Sequence, residues 1–280
     1  VKTIRSIPLA ARWCREAPRP VVFVPTMGAL HSGHAKLIDH ARRLAGPQGR
    51  VVVSIFVNPT QFGPREDLSR YPRPLAADQK LCAAHGADML FHSTAEAIYP
   101  PGFSTFVEES AVSAHLCGAS RPGHFRGVCT IVLKLFQIIQ PQIGVFGLKD
   151  FQQCAVIRRM VRDLNLPVRI DAVETVRESD GLAMSSRNRY LSAEERLQAP
   201  VLRAALRAAE SAWRRGETSA ARLRRIITKT ISTAPLARID YVEIADAVTL
   251  QPVTKVRRNS LLALAVFFGQ TRLIDNVWLR

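Results

Sequence analysis

Two histidines flank a glycine just after a short apolar run. The run is Val21–Val24, and it leads into Pro25-Thr26-Met27-Gly28-Ala29-Leu30-His31-Ser32-Gly33-His34. A strand, a glycine turn and a helix start, in that order, offer backbone N–H groups to an anion. Imidazoles placed there can donate to phosphate oxygens as charge builds in a transition state. Gly28-x4-Gly33 has the frame of a P-loop, but His34 stands where that loop needs Lys, and Ala35 where it needs Ser or Thr. A zinc reading of His31 and His34 falls short on ligand count. Other residues suit a small polar substrate. Gln61 and Gln153 are neutral amides that can hold hydroxyls and a carboxylate without trapping them as an ion pair would. Lys149 is a compact positive charge suited to phosphate, and Asp150 beside it is suited to a metal or the nucleotide. Plainer readings stand beside these: Asn58-Pro59-Thr60 as a turn, Lys149-Asp150 as a surface pair, and Arg121 to His124 as a loop entering a helix.

The elements that must carry these residues alternate in the first half. Strand-like runs at Val21–Val24, 51–57, 88–91, Ile143–Phe146 and 168–173 alternate with helical patterns at 34–45, 76–85, His124–Gln140 and Phe151–Leu164. The helix at 124–140 is apolar almost all round and reads as buried. After about residue 175, two helical stretches at 193–215 and 218–232 precede strand-like 241–245 and 261–268. This predicts an α/β fold: a Rossmann-like doubly wound parallel sheet over 1–175, then a smaller C-terminal α+β domain over 176–280. Arg203, Arg207 and Arg214 share one face of the first long helix of the second half, which reads as a solvated face.

Composition limits the partners. The 280 residues are 47% hydrophobic, enough for a sizeable core, and the net charge of +16 points to an anionic partner. The five cysteines, Cys14, Cys82, Cys117, Cys129 and Cys154, are scattered and odd in number, which fits a reducing compartment. No apolar run spans a bilayer and Val1 to Arg15 holds no signal-like core, so a cytoplasmic location without membrane partners is expected. A nucleic-acid partner would want aromatics among the basic residues, and only Trp213 stands near them.

The His-x-Gly-His element resembles the signature of the nucleotidyltransferase superfamily that includes class I aminoacyl-tRNA synthetases. The longer resemblance is to the pantothenate synthetase family. It is carried by Pro25 to His34, Asn58 to Pro64, Ser120 to Val128, Phe146 to Gln153, Asp180 to Asn188 and Gly269 to Asn276, in the family's order. The resemblance implies ATP-dependent condensation of pantoate with β-alanine through a pantoyl adenylate, releasing AMP and pyrophosphate, with Mg²⁺ as cofactor. It implies an ATP site of Pro25, Met27, Gly28, Ala29, Leu30, His31, Ser32, Gly33, His34, Gly147, Leu148, Lys149, Asp150, Val176, Met184, Ser185, Ser186 and Arg187. Within that site His34, His31 and Lys149 are catalytic and Asp150 meets the metal. Gln61, Gln153 and Asn58 are implied to hold pantoate, with Gln61 also serving β-alanine. The family resemblance also implies a homodimer. Leu148 departs from the family, which often has Glu there, and Phe267-Phe268 replaces a more polar pair.

Overall fold

A computed structural model describes residues 1–64 and 66–280. It divides into two compact units. One comprises residues 1–110, 121–148 and 153–174; the other comprises 111–120, 149–152 and 175–280. The chain thus passes into the second unit at two short segments before its main entry at Thr175.

The first unit is built on a six-stranded parallel sheet. Its strands are β1 (Lys2–Ile4), β2 (Val21–Thr26), β3 (Arg50–Ile55), β4 (Met89–Phe91), β5 (Ile143–Gly147) and β6 (Arg169–Val173), in the order β1-β4-β3-β2-β5-β6. The inner strands read as near-continuous apolar runs because both faces are covered. On one face Val22, Val24, Val51, Val53 and Ile55 pack with Ile38 and Ala41 of α2 (Ser32–Ala45). Successive strand residues alternate in direction, so Phe23 points the other way. There its ring meets the edge of Phe136 on α6 (His124–Ile139), 6.3 Å between centroids. The expected buried helix is therefore present, with α1 (Ile7–Glu16) as its neighbour. Also in this unit are α3 (Leu75–Ala84), α4 (Ala95–Ile98) and most of α7 (Phe151–Asp163). From β2 the strand order runs outward through β3 and β4 on one side, and through β5 and β6 on the other. The carboxyl ends of β2 and β5 mark the reversal, where such sheets bind ligands.

The second unit holds α5 (Cys117–Ser120), α8 (Ala193–Gln198), α9 (Val201–Arg214) and α10 (Ala220–Ile231), with an antiparallel sheet of β7 (Ala237–Asp246), β8 (Ser260–Phe268) and β9 (Thr271–Leu279). Leu202, Leu206, Ala209, Leu223, Ile227, Leu262, Leu264 and Phe268 form much of its core. Four expectations are corrected. The helix over 193–215 is two helices, because Pro200 has no N–H to continue the ladder. Short β1 and α1 were not foreseen, and β9 falls on residues read only as a motif. Arg203 is not on a solvated face; it is only partly exposed and lies against the Gly181 turn.

One close approach links this fold to the residues of interest. Gly127 in the first turn of α6 faces the 3-10 turn Pro59–Gln61. A Cβ there would stand 2.7 Å from the Gln61 nitrogen and closer still to the Thr60 carbonyl. These are backbone atoms that yield only if one of the two segments shifts. Gly127→Ala should therefore cost about 1–3 kcal/mol, read as a lower urea midpoint. An unchanged midpoint would show that the two segments are not held this tightly.

Candidate active site

The turn after β2 is held by its own side chains. His31 is the residue before α2, and its Nδ1 accepts from the Gly33 N–H at 3.1 Å. His34, three residues on, accepts the His31 N–H at its own Nδ1, at 3.3 Å. The two imidazoles thus form a reciprocal capping box, the place usually taken by Ser or Thr and Glu or Gln. A backbone N–H can donate only to a bare ring nitrogen, so each neutral ring carries its proton on Nε2. The rings lie 4.1 Å apart between centroids, inclined at 45°. Local backbone chemistry thus fixes both rings as Nε2–H donors.

One expectation fails here. The turn's N–H groups are not left open to phosphate. Those of Ala29 and Leu30 donate to the buried Asp78 carboxylate at 2.9 and 2.8 Å, and that of Gly28 donates to Thr26 Oγ1 at 3.2 Å. Those of His31 and Gly33 serve the capping box. Sequence reasoning missed Asp78, which is 49 residues away from Ala29 and looks like an ordinary helix acid.

The second motif joins the first through Gln61. This side chain is buried, and its Nε2 donates to Met27 Sδ at 3.0 Å. Its Oε1 accepts from Asn58 Nδ2 at 3.1 Å. These contacts use one donor and one lone pair of an amide that has two of each. Asn58 differs. Its two N–H bonds go to Gln61 and the Gly127 carbonyl, and its oxygen accepts from Thr60 at 3.0 Å and Tyr99 at 2.8 Å. That amide is fully committed to protein partners, and only 1% exposed. The third motif also serves Gln61. His124 Nδ1 lies 2.8 Å from the Gln61 carbonyl, and its Nε2 lies 3.0 Å from Arg121. Arg121 in turn makes a two-bond pair with Glu66 at 2.7 and 2.6 Å.

In the second unit, Lys149 and Asp150 occupy the single 3-10 turn that follows β5. Lys149 is mostly covered, and its Nζ lies 3.8 Å from the half-exposed Asp150 carboxylate. The Lys149 carbonyl accepts from Asn276 on β9 at 3.0 Å. The adjacent Asp275, 3% exposed, makes a two-bond pair with Arg177 at 2.7 and 2.9 Å. Arg177 also donates to the Gly181 carbonyl, and Arg196 bridges Glu178 and Asp180. These contacts fix the segment of Val176, Met184, Ser185, Ser186 and Arg187. Met184 N–H donates to the Val176 carbonyl, and Ser185 caps the 3-10 turn Ser186–Tyr190 by accepting from Arg187 N–H. Arg203, against the Gly181 turn, has its guanidinium value lowered by burial and by the charge of Arg177. Gln153 and Gly147 lie in the first unit, on the α7 and β5 sides of the Lys149 turn.

Among the described residues no three His, Cys, Asp or Glu side chains gather as a metal cage. A magnesium ion needs none: one or two carboxylates together with substrate phosphates and waters suffice. The half-exposed Asp150 fits that pattern. None of the five cysteines is in a disulfide, and all are buried. Among the described residues no helix is long and apolar enough to cross a membrane.

Comparison with known proteins decides the family. The pantoate–β-alanine ligase model matches residues 1–278. The chain belongs to this ligase family. A pantothenate synthetase of Thermotoga petrophila is 51% identical over 99% of this chain and 98% of its own length. The crystal structure of pantothenate synthetase from Thermus thermophilus superposes with a TM-score of 0.94 at 44% identity, over 100% of this chain and 99% of that one. A pantoate–β-alanine ligase from Francisella tularensis, complexed with β-γ ATP and β-alanine, superposes with a TM-score of 0.82 at 33% identity, covering 99% and 97%. The Rossmann-like sheet with its small antiparallel partner is thus the fold of the ligase family, and this ligase is an enzyme.

The Glu66 pair makes a prediction about acid. Burial alone would raise the Glu66 carboxyl, but the hydrogen bonds and charge of Arg121 hold it below the usual value. A depressed carboxyl contributes stability above its unfolded value of about 4.3, and that contribution is lost as pH falls through the lower folded value. The stability gap between wild type and Glu66→Gln should therefore be widest near neutrality and close in acid, as followed by urea unfolding. A gap that stays constant from neutral to acid pH would contradict the pairing.

Proposed function

We propose that this ligase joins pantoate to β-alanine in two steps. A pantoate carboxylate oxygen attacks the α-phosphorus of ATP; a P–O bond forms, the bond to the β-phosphate breaks, and pyrophosphate leaves. The β-alanine nitrogen then attacks the acyl carbon; a C–N bond forms, the C–O bond to AMP breaks, and the nitrogen gives up a proton. No covalent link to the protein is involved, so catalysis rests on positioning and charge stabilisation.

What supports this reading is the pair of imidazoles fixed as Nε2–H donors at the start of α2. His31 and His34 donate to phosphate oxygens of ATP as negative charge shifts between them, and His34 is the family's proton donor. The turn from Pro25 to Gly33, with Ser32 at the first helical position, carries the nucleotide by shape and by these rings. Gln61 uses its remaining donor and lone pair for pantoate and β-alanine, and Gln153 also meets pantoate. Asn58 acts behind Gln61 as a positioning residue, since its amide has no capacity left for a substrate. Lys149 and Arg187 add charge for the phosphates, with Ser185, Ser186, Met184 and Val176 in the same segment. Gly147 and Leu148 line the nucleotide. Asp150 would hold Mg²⁺, which when bound supplies charge neutralisation to the triphosphate. Five buried cysteines without a disulfide suit a reducing cytoplasm.

The test uses His34→Glu beside His34→Ala. Glu at this position still accepts the His31 N–H, and its charge suits a helix N-terminus. It offers no donor to phosphate. With pantoate, β-alanine, ATP and Mg²⁺, the wild type should release pantothenate, AMP and pyrophosphate. His34→Glu should melt close to wild type and lose at least about a hundredfold in rate. Release of ADP, or near-wild-type turnover in His34→Glu, would refute the assignment.

A further inference from the structure

We propose that Asp78 is a positioning residue for the reaction: its carboxylate, and not a substrate phosphate, fills the anion-binding turn that leads into His31 and His34. The inference deepens the reading given above and rests on it. Gly28 and Ala29 are both in the left-handed region, at φ 84° and 51°. For Ala29, which carries a side chain, that conformation is unfavourable unless its surroundings hold it. Successive N–H groups in such a turn converge to form a cradle for an anion. Here the cradle already has its anion. Asp78 Oδ2 accepts from Ala29 at 2.9 Å, and Oδ1 accepts from Leu30 at 2.8 Å.

The fit is specific to this pairing. Asp78 is 2% exposed in the first turn of α3, and Ala29 is fully buried. A carboxylate so deeply buried must be matched by strong donors, and two aligned N–H groups supply them. Gly28 leaves the room: a Cβ on it would stand 3.1 Å from Asp78 Oδ2 and 2.9 Å from Ile55 Cγ2. The carboxylate therefore determines where the chain emerges at His31, and through the reciprocal cap it determines where both Nε2–H groups aim. Asp78 acts through the histidines and not on the substrate.

Asp78→Asn keeps the shape but presents an NH₂ group to one of the two amides. In the folded variant kcat for pantothenate formation should fall at least tenfold while KM for β-alanine stays within twofold. Amide hydrogen exchange at Ala29 and Leu30, slow in the wild type, should accelerate at least tenfold, with exchange in α10 unchanged. A folded variant with kcat within twofold of wild type would overturn the proposal. Should the variant fail to fold, the wild type decides: protection at both amides supports the proposal, and fast exchange at either overturns it. A wild type that makes no pantothenate would defeat the assigned reaction, whereas the exchange result reports on the Asp78 contact separately.

Discussion

The start of α2 is capped by the same two imidazoles to which the proposed reaction assigns phosphate contacts. An ordinary cap satisfies backbone N–H groups and does nothing else. Here the cap also selects a tautomer, because the nitrogen that accepts from the backbone cannot carry a proton. The cap uses the Nδ1 edge of each ring, and the role proposed for His31 and His34 uses the Nε2 edge.

Within each unit the other candidate residues are held by similar double uses. Gln61 is pinned at Met27 Sδ, at Asn58 and through its carbonyl at His124, so its amide plane has little freedom left. Asn58 has no free valence, which makes it part of the frame. In the second unit, Asn276 and Asp275 are neighbours in sequence and divide their work: one holds the Lys149 carbonyl, the other holds Arg177 beneath the Gly181 turn. The large positive net charge of the chain plays a small part. Several arginines are committed to carboxylates, as Arg121, Arg177, Arg196 and Arg272 are.

The parallel sheet could be read from the sequence because its inner strands carry apolar runs such as Val21 to Val24 and Val51 to Val53, and the first precedes α2, whose Ala35, Ile38, Ala41 and Ala45 form one buried stripe. The His-x-Gly-His element could be read because few alternatives place two imidazoles around a glycine after a buried strand. What could not be read was how the turn's hydrogen bonds are shared. The Asp78 contact is set by how α3 packs against β2's turn, and nothing local to either segment signals it. β9 alternates inward and outward strictly from Thr271 to Leu279, but polar Thr271 and Asp275 point inward and apolar Ile274 and Trp278 do not, so the period is hidden in the residue types. β1 is only three residues long, and its pairing with β4 gives no periodicity to find.

The tautomer of the two histidines is the most direct measure of this account. Nitrogen-15 NMR of protein labelled at histidine distinguishes a bare ring nitrogen from a protonated one, at each position and in each ring. With signals assigned through His31→Asn and His34→Glu, both rings should show a bare Nδ1 and a protonated Nε2 at neutral pH. A protonated Nδ1 in either ring would break the reciprocal cap, and with it the claim that the backbone sets these side chains as phosphate donors.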